Sequence, residues 1–172
     1  MLIINEKYLK YLVILTPLGL ITGPFLADLF LSLAGITFIF KSIEKKLWFY
    51  WTHSVSKIFW LFCIYILIRS LVSSDIMLSL ESSMFYFRFG LYTLCVWYLC
   101  DTDKNFINTF GKYFLLIFAF VILDALMQKI IGLNITLNSV NSERLSGIFG
   151  DELILGSYLS RLMPLAFGFC VL

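Results

Sequence analysis

Apolar residues fall in long runs along this chain, separated by short polar clusters. A helix needs about 20 mostly apolar residues to cross a hydrocarbon layer about 30 Å thick. Six stretches come near that length: 8–22, 25–40, 55–72, 84–100, 113–131 and 153–172. The pattern predicts an all-α fold, a polytopic integral membrane bundle of about six helices. The first two stretches are short, with Gly23-Pro24 between them. A flexible residue followed by one that cannot donate a backbone hydrogen bond favours a short helical hairpin over one long helix.

Composition agrees. Of the 172 residues, 60% are hydrophobic and 14% charged, whereas soluble domains have about 45–50% and about 25%. The 18 Phe, 9 Tyr and 4 Trp give far more apolar surface than a disordered chain carries. The net charge is only +2, and the basic residues are scattered between apolar runs, so no nucleic-acid partner is expected. Cys63, Cys95, Cys100 and Cys170 all fall inside apolar runs without the spacing of a zinc site and read as small core residues. The single histidine, His53, has no second ligand nearby. No metal and no cofactor are called for. The first apolar run lacks a signal-peptide cleavage pattern.

Positive charge sets the orientation, because short cytoplasmic loops carry the excess of Lys and Arg. With the N-terminus inside, Lys7, Lys10, Lys41, Lys45, Lys46, Lys57, Lys104 and Lys112 are cytoplasmic, which is eight of nine lysines. The outer loop 73–83 holds Asp75 and Glu81 and no basic residue, and the outer loop 132–152 sets Arg144 against Glu143, Asp151 and Glu152. One long first helix would put Lys7 and Lys10 on the wrong side. All four arginines (Arg69, Arg88, Arg144 and Arg161) fall in outer halves of spans or in the outer loop, joined only by Lys129. The charge rule does not separate Lys from Arg, but anion chemistry does: guanidinium grips phosphate oxygens with two parallel hydrogen bonds. The outer face is therefore expected to bind a phosphate or pyrophosphate, against the plainer reading of arginines reaching to the surface at helix ends.

Arg88 lies about one helical turn inside the membrane, in Met84-Phe-Tyr-Phe-Arg-Phe-Gly90. Arg161 lies about two turns into the last span. Gly156, Ser160, Pro164 and Gly168 recur there every four residues as a small-residue stripe for close helix approach, with a kink expected at Pro164. Asp124 and Gln128 share one face of the fifth span at i and i+4, with Arg88 or Arg161 as the expected partner of the carboxylate. In the outer loop, Gly147 and Gly150 permit unusual backbone conformations, and Asp151 is placed to cap the last helix. Glu152 could act on a hydroxyl. Asn134-Ile-Thr136 matches a glycosylation acceptor in form only.

The run from Arg144-Leu-Ser-Gly-Ile-Phe-Gly-Asp-Glu152 through Arg161-Leu-Met-Pro-Leu165 resembles the segment of bacterial O-antigen ligase and O-antigen polymerase proteins in which an Arg-x-[ST]-Gly-x-Phe loop enters a helix. Phe87-Arg88-Phe89 and Asp124-Ala-Leu-Met-Gln128 are similar in kind to upstream features of that family. The resemblance implies a glycosyltransferase of the bacterial inner membrane, multi-pass with a cytoplasmic N-terminus, that needs no metal or other cofactor. Its donor would be an undecaprenyl-pyrophosphate-linked glycan and its acceptor lipid A-core or a second lipid-linked glycan. Arg88, Arg144 and Arg161 would bind the pyrophosphate, supported by Asp124, Gln128 and Glu152. No catalytic base is assigned. On this reading residues 1–172 form a single transmembrane domain, the N-terminal part of a longer protein and inactive alone. A transporter or flippase for a lipid-linked or anionic solute, and a structural membrane subunit, are the alternatives.

Overall fold

The computed structural model describes residues 6–135, 145–150 and 153–171. Among them the fold is all-α: α1 (Glu6–Thr22), α2 (Pro24–Lys45), α3 (Trp48–Thr52), α4 (Ser54–Ser70), α5 (Ile76–Met84), α6 (Phe87–Thr102), α7 (Phe106–Ile131), a 3-10 turn (Gly147–Phe149) and α8 (Leu155–Val171). Each of the six predicted stretches is largely helical. Among the described residues only α2, with 22 residues, and α7, with 26, are long and apolar enough to cross a membrane. The other four have 16 or 17 residues, which at the helical rise is about 24–26 Å and short of the about 30 Å of hydrocarbon. Short α3 and α5 were not expected; each lies in a connection between longer helices, α3 as the aromatic run Trp48-Phe-Tyr-Trp-Thr52.

The chain divides into two compact units, one of residues 6–13 and 28–103, the other of 14–27 and the described residues from 104 onward. In the first, the start of α1 meets the end of α2: Lys45 Nζ donates to Glu6 Oε1 at 2.7 Å across 39 residues of sequence. That contact requires α1 and α2 to run antiparallel. The reversal falls at Gly23, whose φ of +135 is strained for a residue with a side chain. Glu6 also pairs with the buried Lys41 at 3.2 Å and accepts from the Tyr98 hydroxyl at 2.9 Å. The Lys41 ammonium lies over the Tyr98 ring, 5.5 Å from its centroid, where the ring's negative face attracts a cation. Lys10 pairs with Asp103 at 2.7 Å.

Beside this network lies an aromatic core around the fully buried Phe38, in ring contact with Tyr50, Trp51 and Tyr98. Buried polar tips find partners: Trp51 Nε1 donates to Ser42 Oγ at 2.7 Å, and the Tyr50 hydroxyl donates to Asp101 at 3.0 Å. His53 accepts from the Val55 backbone N–H at the start of α4 and stands edge-on to Trp97, so its role here is to cap a helix and pack. Helices α4 and α6 meet at Gly90, where an added Cβ would lie 2.2 Å from Phe59 Cε1.

The second unit packs α7 on α8. Val121, Ala125, Leu155 and Ile21 form one buried cluster, and Phe114, Phe118 and Ala166 another. The small-residue stripe on α8 does not make the expected close approach: Cβ atoms added at Gly156 or Gly168 would meet nothing within 4 Å. The tight contact is on α7, where a Cβ at Gly111 would lie 2.6 Å from Phe169 Cδ1. A glycine receives the Phe169 ring, so the close packing is ring to backbone and not backbone to backbone. Cysteine burial also departs from expectation. Cys63 and Cys95 are buried, but Cys100 is half-buried and Cys170 exposed, because the last turn of α8 turns that side chain away from α7.

Two tests follow from this packing. Gly90→Ala is expected to destabilise the protein by about 1–3 kcal/mol by displacing the Phe59 ring. Gly168→Ala, in open space on a helix, should stabilise it by about 0.5–1 kcal/mol; denaturant unfolding of both variants checks the contrast. The second test concerns pH. The hydrogen bond from Lys45, and then that from Tyr98, lower the Glu6 pKa from 4.5 to about 2. A folded-state pKa below the unfolded one gives stability that is complete above the unfolded value and lost as pH falls through the folded one. Glu6→Gln should therefore melt below the parent protein at neutral pH, and the difference should close as pH is lowered from 4.5 to 2. A gap that persists at pH 2 would contradict this account.

Candidate functional site

Asp124 and Gln128 project from the last turns of α7 and are 0% and 1% exposed. Helix α7 ends at Gly132, and the chain folds back along it. The Gln128 side-chain oxygen accepts from two successive backbone N–H groups, Ser146 at 3.1 Å and Gly147 at 2.8 Å, while its Nε2 donates to Ser146 Oγ at 3.3 Å. Asp124 Oδ1 accepts from the Ile135 backbone N–H at 2.9 Å, and Asn134 Nδ2 donates to the Gly147 carbonyl at 2.6 Å. The Asn134 amide is thus buried and engaged. Two side chains one helical turn apart fasten both segments, 133–135 and 145–150, to α7.

Gly147 is required at the centre of this arrangement. Its φ is +57, and a Cβ there would lie 3.2 Å from Asp124 Oδ2, a buried oxygen with no hydrogen-bond partner. Gly150, with φ +63, completes the turn. This overturns the expectation that Asp124 pairs with Arg88 or Arg161. Among the described residues the carboxylate bonds to backbone, because the returning loop occupies its face of α7.

The docked loop forms one wall of a cavity of about 530 Å³. Ile148 and Phe149 stand on that wall, with Phe149 against Tyr158 at 5.2 Å between ring centroids. The Thr22-Gly23-Pro24 turn lines it too, and α8 contributes Ser157, Tyr158 and Arg161 from one face, at i, i+1 and i+4. Arg161 is the charged residue among the described lining side chains. It is exposed, and no carboxylate of a described residue pairs with it. A guanidinium beside hydroxyls at the mouth of an otherwise apolar cavity suits an anion carried on an apolar or bulky group.

Arg88 belongs to the first unit and has different surroundings. Its Nη2 donates to Asp28 at 3.0 Å, and its guanidinium lies over Phe89. Asp28 was not singled out from the sequence, although it is the lone carboxylate in the stretch 25–40, the same signal that drew attention to Asp124. Arg144, Glu152 and Asp151 lie outside the described residues. Among the described residues no group of three His, Cys, Asp or Glu side chains could hold a metal ion. Comparison with family models, curated proteins and solved structures gives no match.

The loop anchor is testable. Gln128→Leu leaves the buried N–H groups of Ser146 and Gly147 without an acceptor, at a cost of about 1–3 kcal/mol for each. Amide hydrogen exchange at Ser146 and Gly147 should accelerate by at least about tenfold, while exchange in the first unit stays unchanged. Unchanged protection at both amides would show that the loop is held by other contacts.

Proposed function

We propose that this chain is a polytopic, six-span protein of the bacterial inner membrane with a cytoplasmic N-terminus, and that it forms the donor-binding part of an O-antigen ligase or polymerase type glycosyltransferase. The donor is an undecaprenyl-pyrophosphate-linked glycan, and the acceptor is lipid A-core or a second lipid-linked glycan. The observation that carries the reading is Arg161: an arginine without a carboxylate partner among the described residues, at a cavity of about 530 Å³ walled by the loop that Gln128 holds. The loop and the helix that carries Arg161 are also the segment on which the family resemblance rests.

In this reading Arg161 grips the pyrophosphate and stabilises the charge that grows on it as the glycosidic bond breaks, with the Tyr158 hydroxyl as a neighbouring donor; Ser157 already donates to the Ile154 carbonyl at 2.9 Å. The described lining residues include no carboxylate or imidazole, so the chain's part is to bind and to stabilise charge. That same lining favours a second reading, a flippase for lipid-linked anionic solutes, since passage needs a cation and hydroxyls but no base.

Arg161→Lys keeps the charge and loses the planar fork. In the full-length protein, with a purified lipid-linked donor, glycan transfer is expected to fall about a hundredfold, with the protein still inserted and folded. Transfer at the parent rate would remove Arg161 from the site. Transbilayer movement of the donor without transfer would establish the flippase instead.

A further inference from the structure

The first unit holds another cavity, of about 410 Å³, between the end of α4 and α5. Its polar lining is Arg69 with Ser70, Ser73, Ser79, Ser82 and Ser83, and no carboxylate is among the lining residues. On α5, Ser79, Ser82 and Ser83 share one face at i, i+3 and i+4, which leaves Glu81 on the opposite side. Arg69 is exposed, and no described carboxylate or hydroxyl is paired with it.

The serine hydrogen bonds determine what this lining can still offer. Ser70 donates to the Leu67 carbonyl at 2.7 Å; Ser82 and Ser83 donate to the Ser79 carbonyl at 3.1 Å and 2.6 Å. Ser79 donates to Ser73 Oγ at 2.7 Å. A hydroxyl has one proton and two lone pairs. Ser70, Ser82 and Ser83 can therefore only accept from a ligand, and one proton of the Ser73–Ser79 pair remains to donate. The cavity presents a planar guanidinium and a hydroxyl proton for an anion, surrounded by oxygens that need donors. A bare phosphate on Arg69 leaves most of these oxygens to water, whereas an ester with further hydroxyls can supply donors to several of them at once.

We propose that this cavity binds a phosphate ester that carries free hydroxyl groups, a glycerophosphate or sugar phosphate, with the phosphate on Arg69 and the hydroxyls donating to the serine oxygens. The volume lies within the range of small-molecule sites, which begins at about 300 Å³. Leu71, Val72, Met77 and Leu78 are exposed in the adjoining segments, so the ester could arrive free or as the head group of a lipid whose chains cover that surface.

The test uses the full chain, purified in a detergent without sugar groups and, in parallel, in nanodiscs. Calorimetry with glycerol phosphate and with inorganic phosphate forms the soluble arm. Native mass spectrometry of retained phosphatidylglycerol against phosphatidylcholine forms the lipid arm. Binding in either arm supports the site and identifies its source. Arg69→Gln should weaken that binding at least about tenfold, and Arg69→Lys should weaken it while keeping the charge. Ser82→Ala with Ser83→Ala should weaken glycerol phosphate and leave inorganic phosphate unaffected. Circular dichroism verifies that each variant is folded; both Arg69 and Ser82 are exposed, so folding should survive. Binding of glycerol phosphate or phosphatidylglycerol that is equal in the parent and Arg69→Gln, inorganic phosphate bound as tightly as glycerol phosphate, or no binding in either arm would overturn the proposal.

Discussion

A polar atom taken out of water costs several kcal/mol unless it finds a partner inside the protein. In an apolar helical chain few such partners exist, so each polar side chain that does become buried dictates where nearby backbone must go. Gln128 shows this most plainly. Its carboxamide is buried at the end of α7, and its unmet oxygen and nitrogen draw in the N–H groups of Ser146 and Gly147 and the hydroxyl of Ser146. Asp124, one turn earlier, does the same to Ile135. The wall of the larger cavity follows from these bonds, because Ile148 and Phe149 continue the segment that Gln128 holds.

The same constraint sorts charge along α2. Asp28 near its start takes Arg88, while Lys41 and Lys45 near its end share Glu6. Asp28 and Lys41 are thirteen positions apart, about 20 Å along a helix, so the arginine and lysine pairings sit at opposite ends of one element. At the lysine end Lys45 divides its donors between the Glu6 carboxylate and the Tyr98 phenol, while Lys41 pairs with the same carboxylate and lies over the Tyr98 ring.

Much of this was legible in the sequence, and the failures share a cause. The break at Gly23-Pro24 was readable because both residues act locally on the backbone. The facing of Asp124 and Gln128 was readable because helical periodicity is local as well. What periodicity does not carry is the identity of a partner distant in sequence. Asp124 was assigned an arginine because opposite charge is the strongest attraction visible in a list of residues, yet backbone N–H groups of a returning loop are nearer. The glycine stripe on α8 misled for a related reason: spacing marks which positions share a face, and only the fold determines whether another helix lies against that face. The glycines that do receive a neighbour, Gly90 and Gly111, are set by where the Phe59 and Phe169 rings fall.

Among the described arginines, pairing separates two kinds of role. Arg88 has its carboxylate in Asp28, and a ligand anion there would have to displace it. Arg69 and Arg161 have none among the described residues, and each stands at a cavity whose other polar side-chain lining is hydroxyl. A permanent cation can stay unpaired at little cost only while water reaches it, so these are the positions where an incoming anion gains attraction without breaking an existing ion pair. Hydroxyls and guanidinium at neutral pH hold and orient an anion and stabilise charge as it grows, but they do not remove a proton from an acceptor. What the described lining of both cavities offers an anion is therefore electrostatic and hydrogen-bonded attraction.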